Sequence, residues 1–386
     1  MYLRANVIAS PRSLKEYGRS NNYINIIRKQ SGKRLNIMGM LLLIILSAIS
    51  VSSEQNVDDE KRVNAWKREL NRIKIPRSII KLKYLYSIPN ANIAESKNKD
   101  VFMKSSDFMD IDKEKNIIYL SDSKLNRVLA FDLNGMNLYS MGSPGNGPGE
   151  LSRPTHVIVA GNGNVLLVNN VGNGRIEMYS AEGQYINNIK LYKSYVSIKE
   201  YSNNIYATPR NPISKNAFLV NVMDFKGDLI RQFGELTKYT DKRNILNEVL
   251  LCIENKYIYI GFRNQNILRK YSIDGKILNE IIINQDERMK VNTKYNRKAI
   301  KTDASGGYRN VIQAMATDND SIYLMLSYPY IGIIEMNDVG KKKNIYYAEQ
   351  KYNGIYNGMI VETRLGKRYF YILEVYPDNC INVYSE

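Results

Sequence analysis

Short runs of β-branched and aromatic residues alternate with turn-forming residues along most of the chain. One turn pattern occurs five times: an aromatic residue or Met, then Asp, Ser or Asn, then two residues, then glycine. Its copies end at Gly135, Gly183, Gly227, Gly275 and Gly340. A short polar side chain at the first position of a type I turn bonds the backbone two residues on, and the glycine takes the positive φ that follows. Each copy therefore predicts a hairpin between two antiparallel strands.

Each predicted hairpin is preceded by a further β-prone run, and Asn and Gly ahead of that run predict a turn from one more strand, so a repeat holds four strands. The runs directly before the turns are residues 127–131, 175–179, 219–223, 267–271 and 331–336. The runs upstream of them are residues 117–120, 165–168, 205–207, 257–262 and 322–326. A unit of four strands in roughly 45 residues has the size of one blade of a β-propeller.

The two ends of the repeat region predict a closed ring. Residues 381–386 begin a sixth copy of the pattern, and they supply a third strand without a fourth. An unassigned strand, residues 79–88, lies ahead of the first repeat. If it takes the vacant place, neither terminal blade leaves an open edge at the joint. The predicted fold is therefore all-β: a six-bladed β-propeller over residues 77–386, whose last blade is closed by an N-terminal strand.

A signal or anchor segment is predicted near the N-terminus. Residues 37–51 are apolar or small and follow a basic stretch at residues 28–34. The run is shorter than the ~20 residues of a membrane span and suits a secretory signal, with Ala48 and Ser50 placed for cleavage. The basic flank keeps the N-terminal end inside. Residues 1–52 are thus interpreted as a basic region with a signal peptide that is either removed or retained as a membrane anchor.

A short helix is predicted between this segment and the ring. Residues 53–76 are polar, and Val63, Trp66, Leu70 and Ile73 recur at helical spacing before Pro76. The pattern indicates an amphipathic helical linker that ends at the proline.

Part of the chain, residues 119–159, resembles an NHL repeat. The resemblance is carried by Asp122, the trio Asn126, Arg127 and Val128, the turn glycine Gly135, and the run from Gly147 to Leu151 that leads to Pro154. Residues 173–176 partly repeat it in the next blade. The resemblance implies an exported bacterial propeller with six NHL-like blades, and it implies little about activity.

Composition and charge limit the function. With 44% hydrophobic and 24% charged residues, the chain is globular and not a disordered or fibrous protein. Its net charge of +17 suits an anionic partner such as a glycan, a lipid surface or nucleic acid. Abundant Asn, Ile, Lys and Tyr also fit an AT-rich gene, which is the alternative interpretation of that charge. Export makes nucleic acid the unexpected partner.

Few residues suit catalysis or metal binding. One histidine, His156, cannot build a multi-histidine zinc centre, and Cys252 and Cys380 form no CxxC pair. The two cysteines fall on strands of different blades, so no disulfide is expected. No nucleophile elbow or acidic partner accompanies His156. We therefore assign no catalytic residue, metal or cofactor.

Candidate ligand-binding residues lie on the loop face, where propellers usually hold ligands. Arg127 and Arg175 occupy the same place in adjacent blades, and Arg210 and Arg263 fall near equivalent loops. A ring of arginines facing the channel would bind an anion, and packing between blades is the alternative. The longest inter-blade loop, residues 284–310, is strongly basic: it carries Arg288, Lys290, Lys294, Arg297, Lys298, Lys301 and Arg309. Lys294, Arg297 and Lys298 are its assigned binding residues, and a solvated insertion is the alternative.

The sequence thus predicts an exported, non-catalytic binding or scaffold propeller in the periplasm or outside the cell. Its expected partner is a protein, a peptide or an anionic glycan bound at the loop face. The alternative is a lyase or hydrolase acting on a glycan or lactone at the channel mouth. That activity would need three or more acidic or metal-binding residues converging on the ring axis. A purely structural role in the cell envelope is a third possibility.

Overall fold

The computed structural model describes residues 60–75, 78–90, 101–160, 163–210, 212, 217–237, 245–301, 307–326, 329–349 and 354–386. The predicted signal or anchor segment, residues 37–51, lies outside the described residues. Within the described ranges, no helix is both long enough and apolar enough to cross a membrane.

Six antiparallel blades form the ring, and each runs from an inner strand at the channel to an outer strand at the rim. Blade 1 consists of Ser106–Asp112, Ile117–Asp122, Arg127–Asp132 and Asn137–Met141. Blade 2 consists of Pro154–Val159, Val165–Asn170, Arg175–Ser180 and Tyr185–Lys190. Blade 3 consists of Tyr195–Tyr201, Asn204–Pro209, Phe218–Met223 and Leu229–Glu235.

The second half of the ring follows the same plan. Blade 4 consists of Val249–Glu254, Tyr257–Phe262, Ile267–Ser272 and Ile277–Ile282. Blade 5 consists of Ala314–Asp318, Ser321–Leu326, Ile331–Asn337 and Lys342–Ala348. Blade 6 consists of Ile355–Arg364, Lys367–Tyr376, Cys380–Ser385 and the N-terminal strand Lys83–Ile88. Short elements in the crossings are the strands Ser143–Pro144 and Glu150–Leu151 and the 3₁₀ turns Val171–Asn173 and Ile245–Asn247.

The N-terminal strand closes the ring as predicted. Lys83–Ile88 pairs antiparallel with Cys380–Ser385, so that Ile88 lies opposite Ile381. The predicted run 79–88 also reaches one blade further: Ile80–Lys81 adds in parallel to the outer strand of blade 5. Leu82, which is 3% exposed, lies between the two strands, and its N–H donates to the Tyr347 carbonyl at 2.8 Å. The chain therefore ties blades 5 and 6 together at the joint.

The five predicted turn glycines all have left-handed backbone conformations, with φ between +84° and +92°. In blade 1, Asp132 Oδ1 accepts the N–H groups of Asn134 at 3.0 Å and Met136 at 2.8 Å. The Gly135 N–H donates to the Asp132 carbonyl at 3.0 Å. The side chain at the first position thus fixes the turn, as the pattern predicted.

The described residues contain two α-helices. Helix α1, residues 60–71, begins in a separate unit of the chain, and from Trp66 onwards it belongs to the unit that holds the propeller. It confirms the predicted short helix, and Trp66 and Leu70 are buried. The Trp66 Nε1–H donates to Asn292 Oδ1 at 2.8 Å.

Helix α2, Glu287–Lys301, lies in the crossing from blade 4 to blade 5. The sequence predicted only a loop over residues 284–310, and that prediction is wrong. Asp286 begins the helix by accepting the Arg288 N–H at 2.9 Å. The helix buries Arg288, Asn292 and Asn296 among its inward residues, so its inner face does not show the apolar periodicity that identifies an amphipathic helix.

Candidate functional site

The loop face of the ring carries several of the predicted residues. Strand order places the inter-blade crossings and the loops between second and third strands at the same end of the ring. Arg210 follows the second strand of blade 3, and Arg263 follows the second strand of blade 4. Helix α2 lies in a crossing at the same end.

Arg127 and Arg175 each hold a segment of the preceding loop against its blade. The Arg127 Nη2 donates to the Phe102 carbonyl at 2.7 Å, and its Nε lies 4.0 Å from Asp122 Oδ2. Arg175 donates to Glu177 Oε1 and to the carbonyls of Asn146 and Gly147. None of the four predicted arginines is among the residues that line the channel cavity. The structure therefore does not bring these two arginines together with Arg210 and Arg263, and the predicted ring of four does not form.

The channel holds a cavity of about 250 Å³ that is lined by the inner strands of all six blades. An ion pair spans it: Lys199 Nζ of blade 3 lies 3.5 Å from Asp110 Oδ1 of blade 1. The other oxygen of Asp110 accepts the Val159 N–H at 3.1 Å. Burial works to lower the pKa of Lys199, but Asp110 and Cys252 together outweigh it, so the pKa lies above its ordinary value. Lys199 is therefore a charged ammonium inside the ring.

His156 lies in the channel wall and is only 4% exposed. Its ring stacks on Phe108 with centroids 3.5 Å apart, and its Nδ1 lies 3.2 Å from Thr155 Oγ1. Burial lowers its pKa well below the ordinary value, and the positive charges of Lys199, Arg263 and Arg210 lower it further. His156 is therefore neutral at physiological pH, and its buried Nε2 has no hydrogen-bond partner in the described part of the protein.

The charges that act on His156 are those of three cations, Lys199, Arg263 and Arg210. The Arg263 Nε lies 3.7 Å from Glu248 Oε1. Burial lowers the pKa of Arg263, Glu248 acts in the opposite direction, and Arg210 adds to the lowering. Arg210 is exposed, and no acidic group among the described residues forms an ion pair with it. Two of the four predicted arginines thus act on His156 but do not line the channel cavity.

The thiol in the channel is not set up as a nucleophile. Cys252, on the inner strand of blade 4, is buried, and burial raises its pKa to about 12. Its S–H donates to the Met315 carbonyl at 3.4 Å. Cys380 lies on the third strand of blade 6, and the two cysteines are not joined by a disulfide. Among the residues that the structure describes, no group of three His, Cys, Asp or Glu could hold a metal ion.

A second cavity, of about 570 Å³, forms a groove along α2. Its wall is one basic helix face, which includes the predicted residues Lys294, Arg297 and Lys298 together with Lys290 and Lys301. Ile267 and Ile282 of blade 4 also line the groove. Lys290 and Lys294 form exposed ion pairs with Glu287 at 2.6 Å and Glu69 at 3.4 Å. The structure thus brings the three predicted loop cations together on a helix.

Two of the basic residues in this crossing serve packing instead. Arg288 is fully buried, donates to both oxygens of Asp286 and donates from Nη1 to the Tyr330 carbonyl at 2.6 Å. The guanidinium of Arg309 lies 4.5 Å from the ring centre of Trp66 and 5.2 Å from that of Tyr295. Both contacts fix α2 to its surroundings, so the basic face is held on a rigid support.

Sequence reasoning missed the channel pair Asp110 and Lys199. No motif marks either residue, because each is a single charge within a strand and they are brought together only by ring closure. Lys290 and Lys301 had a signal, since with Lys294, Arg297 and Lys298 they repeat at helical spacing.

The fold and the channel together define a six-bladed β-propeller. Residues 106–306 match a protein family described as "6-bladed beta-propeller". The match covers more than half of the 386 residues, and the chain belongs to this family.

Solved structures with the same fold are distant in sequence. A "Putative exported protein" from Bacteroides fragilis is 12% identical, with 81% of this chain and 97% of that chain covered and a TM-score of 0.55. A catalytically inactive virginiamycin B lyase from Staphylococcus aureus, with quinupristin, is 11% identical. The match covers 74% of this chain and 82% of that chain, with a TM-score of 0.48. These likenesses concern the fold alone.

Proposed function

We propose that this protein is an exported binding module that holds an acidic, extended segment of a partner protein in the groove along α2. The observation that carries the proposal is the row of five cations on one face of a firmly anchored helix. Lys290 and Lys301, at the ends of the row, are separated by roughly 16 Å at 1.5 Å per residue. A ligand with several spaced negative charges matches such a row better than a single anion.

The cations can exchange their present partners for a ligand. Glu287 and Glu69, the acidic partners of Lys290 and Lys294, are both substantially exposed. Exposed ion pairs contribute only about 0–1 kcal/mol, so a polyanion can displace them at little cost. Four of the five cations are lysines, which contact anions as mobile point charges and tolerate variation in the bound sequence.

An unpaired strand edge beside the groove favours a peptide over a glycan. Ile277–Ile282 is the outermost strand of blade 4, and no described strand pairs with its outer edge. Ile277, Leu278 and Ile282 are 51%, 47% and 51% exposed. An added peptide strand would use the backbone groups of this edge and cover the aliphatic side chains. A glycan has neither a matching ladder of N–H and C=O groups nor apolar side chains.

Export rests on the sequence. The apolar run at residues 37–51 and its basic flank predict translocation of the C-terminal body, with the segment either cleaved or kept as an anchor. An extracytoplasmic location makes another envelope or secreted protein the natural partner and nucleic acid an unexpected one. No observation on the described residues favours the lyase or hydrolase alternative.

Titration calorimetry with defined peptides tests the proposal. The first probe is a peptide of alternating Glu and Val, which should bind with an affinity that falls as salt rises. A peptide with the same glutamates and Pro in place of Val should bind more weakly, because it cannot donate ladder hydrogen bonds. Polygalacturonate is the glycan probe. Tighter binding of polygalacturonate than of the Glu-Val peptide would contradict the assignment to a peptide.

Two triple variants with the same change in net charge distinguish binding in the groove from attraction to the overall charge of the protein. The triple variant Lys294→Glu, Arg297→Glu and Lys298→Glu should weaken binding of the Glu-Val peptide by about tenfold or more. The control reverses three exposed lysines outside the groove: Lys124, Lys226 and Lys341. An equal loss in both triple variants would show that binding follows overall charge and would refute the groove.

A further inference from the structure

The channel contains polar groups that the groove on α2 does not involve. The ammonium of Lys199 is 3.5 Å from Asp110, and the Lys199 side chain is 34% exposed to the channel. An ammonium has three donors, so this one ion pair leaves donors available. The Nε2 of His156, a residue that also lines the cavity, is buried and has no hydrogen-bond partner among the described residues. Buried polar atoms without partners are rare in folded proteins and often mark the place of an absent small molecule or ion.

The charges around this place favour an anion. Lys199 faces Asp110, Arg263 faces Glu248, and Arg210 has no acidic partner within the described chain. Glu254 also lines the cavity, but the charges that act on His156 are the three cations. Burial is the main cause of the lowered pKa of His156, and all three cations lower it further. A bound negative charge beside His156 is favoured by these three cations, because electrostatic interactions are stronger in a partly enclosed cavity than in water.

We propose that the channel is a second, independent binding site, in which a compact organic carboxylate binds Lys199 beside the stacked rings of Phe108 and His156. The site is formed by inner strands and does not depend on the proposed function of α2. The carboxylate accepts hydrogen bonds from the ammonium of Lys199. Arg210 and Arg263 stabilise its charge from the loop end of the channel.

The size and lining of the cavity define the rest of the ligand. Its volume of about 250 Å³ equals about eight water molecules at ~30 Å³ each. Leu250, Met315, Met359 and Val361 line it together with the polar groups. A small acid with a short apolar chain fits this mixture, whereas a glycan unit would leave its hydroxyl groups against apolar walls.

Binding of a carboxylate should change the protonation of His156. Burial and three positive charges keep His156 neutral. A bound anion offsets those charges and raises the pKa of His156 towards its ordinary value. Protons are then taken up on binding, so affinity should increase as the pH falls between the two pKa values.

The single histidine of the chain makes this response directly measurable. Untagged protein labelled with ¹³C-histidine gives one imidazole Cε1–H resonance in NMR spectra, and that resonance reports on His156 alone. Butyrate is the probe, butyramide is its uncharged isostere, and inorganic phosphate is the comparison anion. Butyrate should shift the resonance saturably and move its titration midpoint to higher pH, and butyramide should do neither.

Variants test whether Lys199 binds the carboxylate and whether the channel site is independent of the groove along α2. Lys199→Met should weaken butyrate binding by about tenfold or more, and Arg210→Gln, at an exposed position, should weaken it several-fold without loss of folding. The triple reversal on α2 should leave the butyrate response unchanged. Absence of a saturable shift up to about 20 mM butyrate, well above the ~1 mM constant of a weak complex, would overturn the site. A response to phosphate alone would overturn the carboxylate class.

Discussion

Replacement of Arg288 by Met should destabilise the propeller by about 3–5 kcal/mol, because it leaves a buried carboxylate without its partner. Arg288 is fully buried and Asp286 is only 8% exposed. Three N–H···O contacts join them, at 2.7, 3.0 and 3.1 Å. The guanidinium also donates to the Tyr330 carbonyl and lies 3.9 Å from the Tyr330 ring centre. Methionine fills a similar length and supplies none of these bonds.

Thermal unfolding followed by circular dichroism measures this loss. In a large domain, each kcal/mol of lost free energy of unfolding lowers the midpoint temperature by about 2 °C, so the midpoint should fall by roughly 6–10 °C. The double variant Arg288→Met with Asp286→Asn should recover more than half of the loss, because the amide keeps an acceptor for the helix start but carries no charge. Lys298→Met, on the exposed face of the same helix, is the control and should change the midpoint by no more than about 1 °C. A fall under about 2 °C for Arg288→Met would refute the view that this ion pair anchors α2.

Two further predictions concern the turns and the channel. Gly275→Ala should lower the free energy of unfolding by at least about 1 kcal/mol more than Gly366→Ala. Both glycines have positive φ, but only at Gly275 would a Cβ lie 2.7 Å from Phe233 Cγ. Equal unfolding midpoints of the two variants would contradict this. Folding lowers the pKa of His156, so the unfolded chain binds the proton more readily than the folded chain. The stability that this residue contributes is therefore fully present above pH ~6.5. Below that pH it is lost by up to about 1.4 kcal/mol per pH unit. Urea unfolding of the wild type and His156→Gln at pH 7.5 and 5.5 should show a smaller pH-dependent loss in the variant, and equal losses would show that other groups set the acid sensitivity.

The turns could be predicted because their physics is local. A short polar side chain and a glycine three residues later suffice to specify each hairpin, as Asp132 and Gly135 show. Ring closure followed from the same local signal, since the last copy of the pattern lacked a strand that residues 79–88 could supply. The parallel addition of Ile80–Lys81 to blade 5 could not be predicted in this way. Two residues carry no periodicity, and their pairing depends on where the previous blade lies.

Helix α2 was not predicted because polar residues occupy its buried positions, where a sequence pattern expects apolar residues. A buried arginine and two buried asparagines occupy positions that are apolar in an ordinary amphipathic helix. Each is satisfied by a specific acceptor: Asn292 donates to the Asn310 carbonyl at 2.8 Å, and Asn296 donates to the Asn264 carbonyl at 2.9 Å. These acceptors come from the neighbouring loops, which a sequence pattern confined to the helix cannot include.

The structure also bears on whether the basic charge of the chain reflects composition alone. Cations that arose from codon usage would be spread over the surface, each paired with whichever acid lay nearby. Arg127 and Arg175 do bind neighbouring loops, and Arg288 is buried and donates to the Tyr330 carbonyl. Other exposed lysines, such as Lys124, Lys226 and Lys341, lie apart from one another, but five cations lie together along one face of α2. Since these five cations line one groove, their distribution, more than the total charge of the chain, favours a bound anion there.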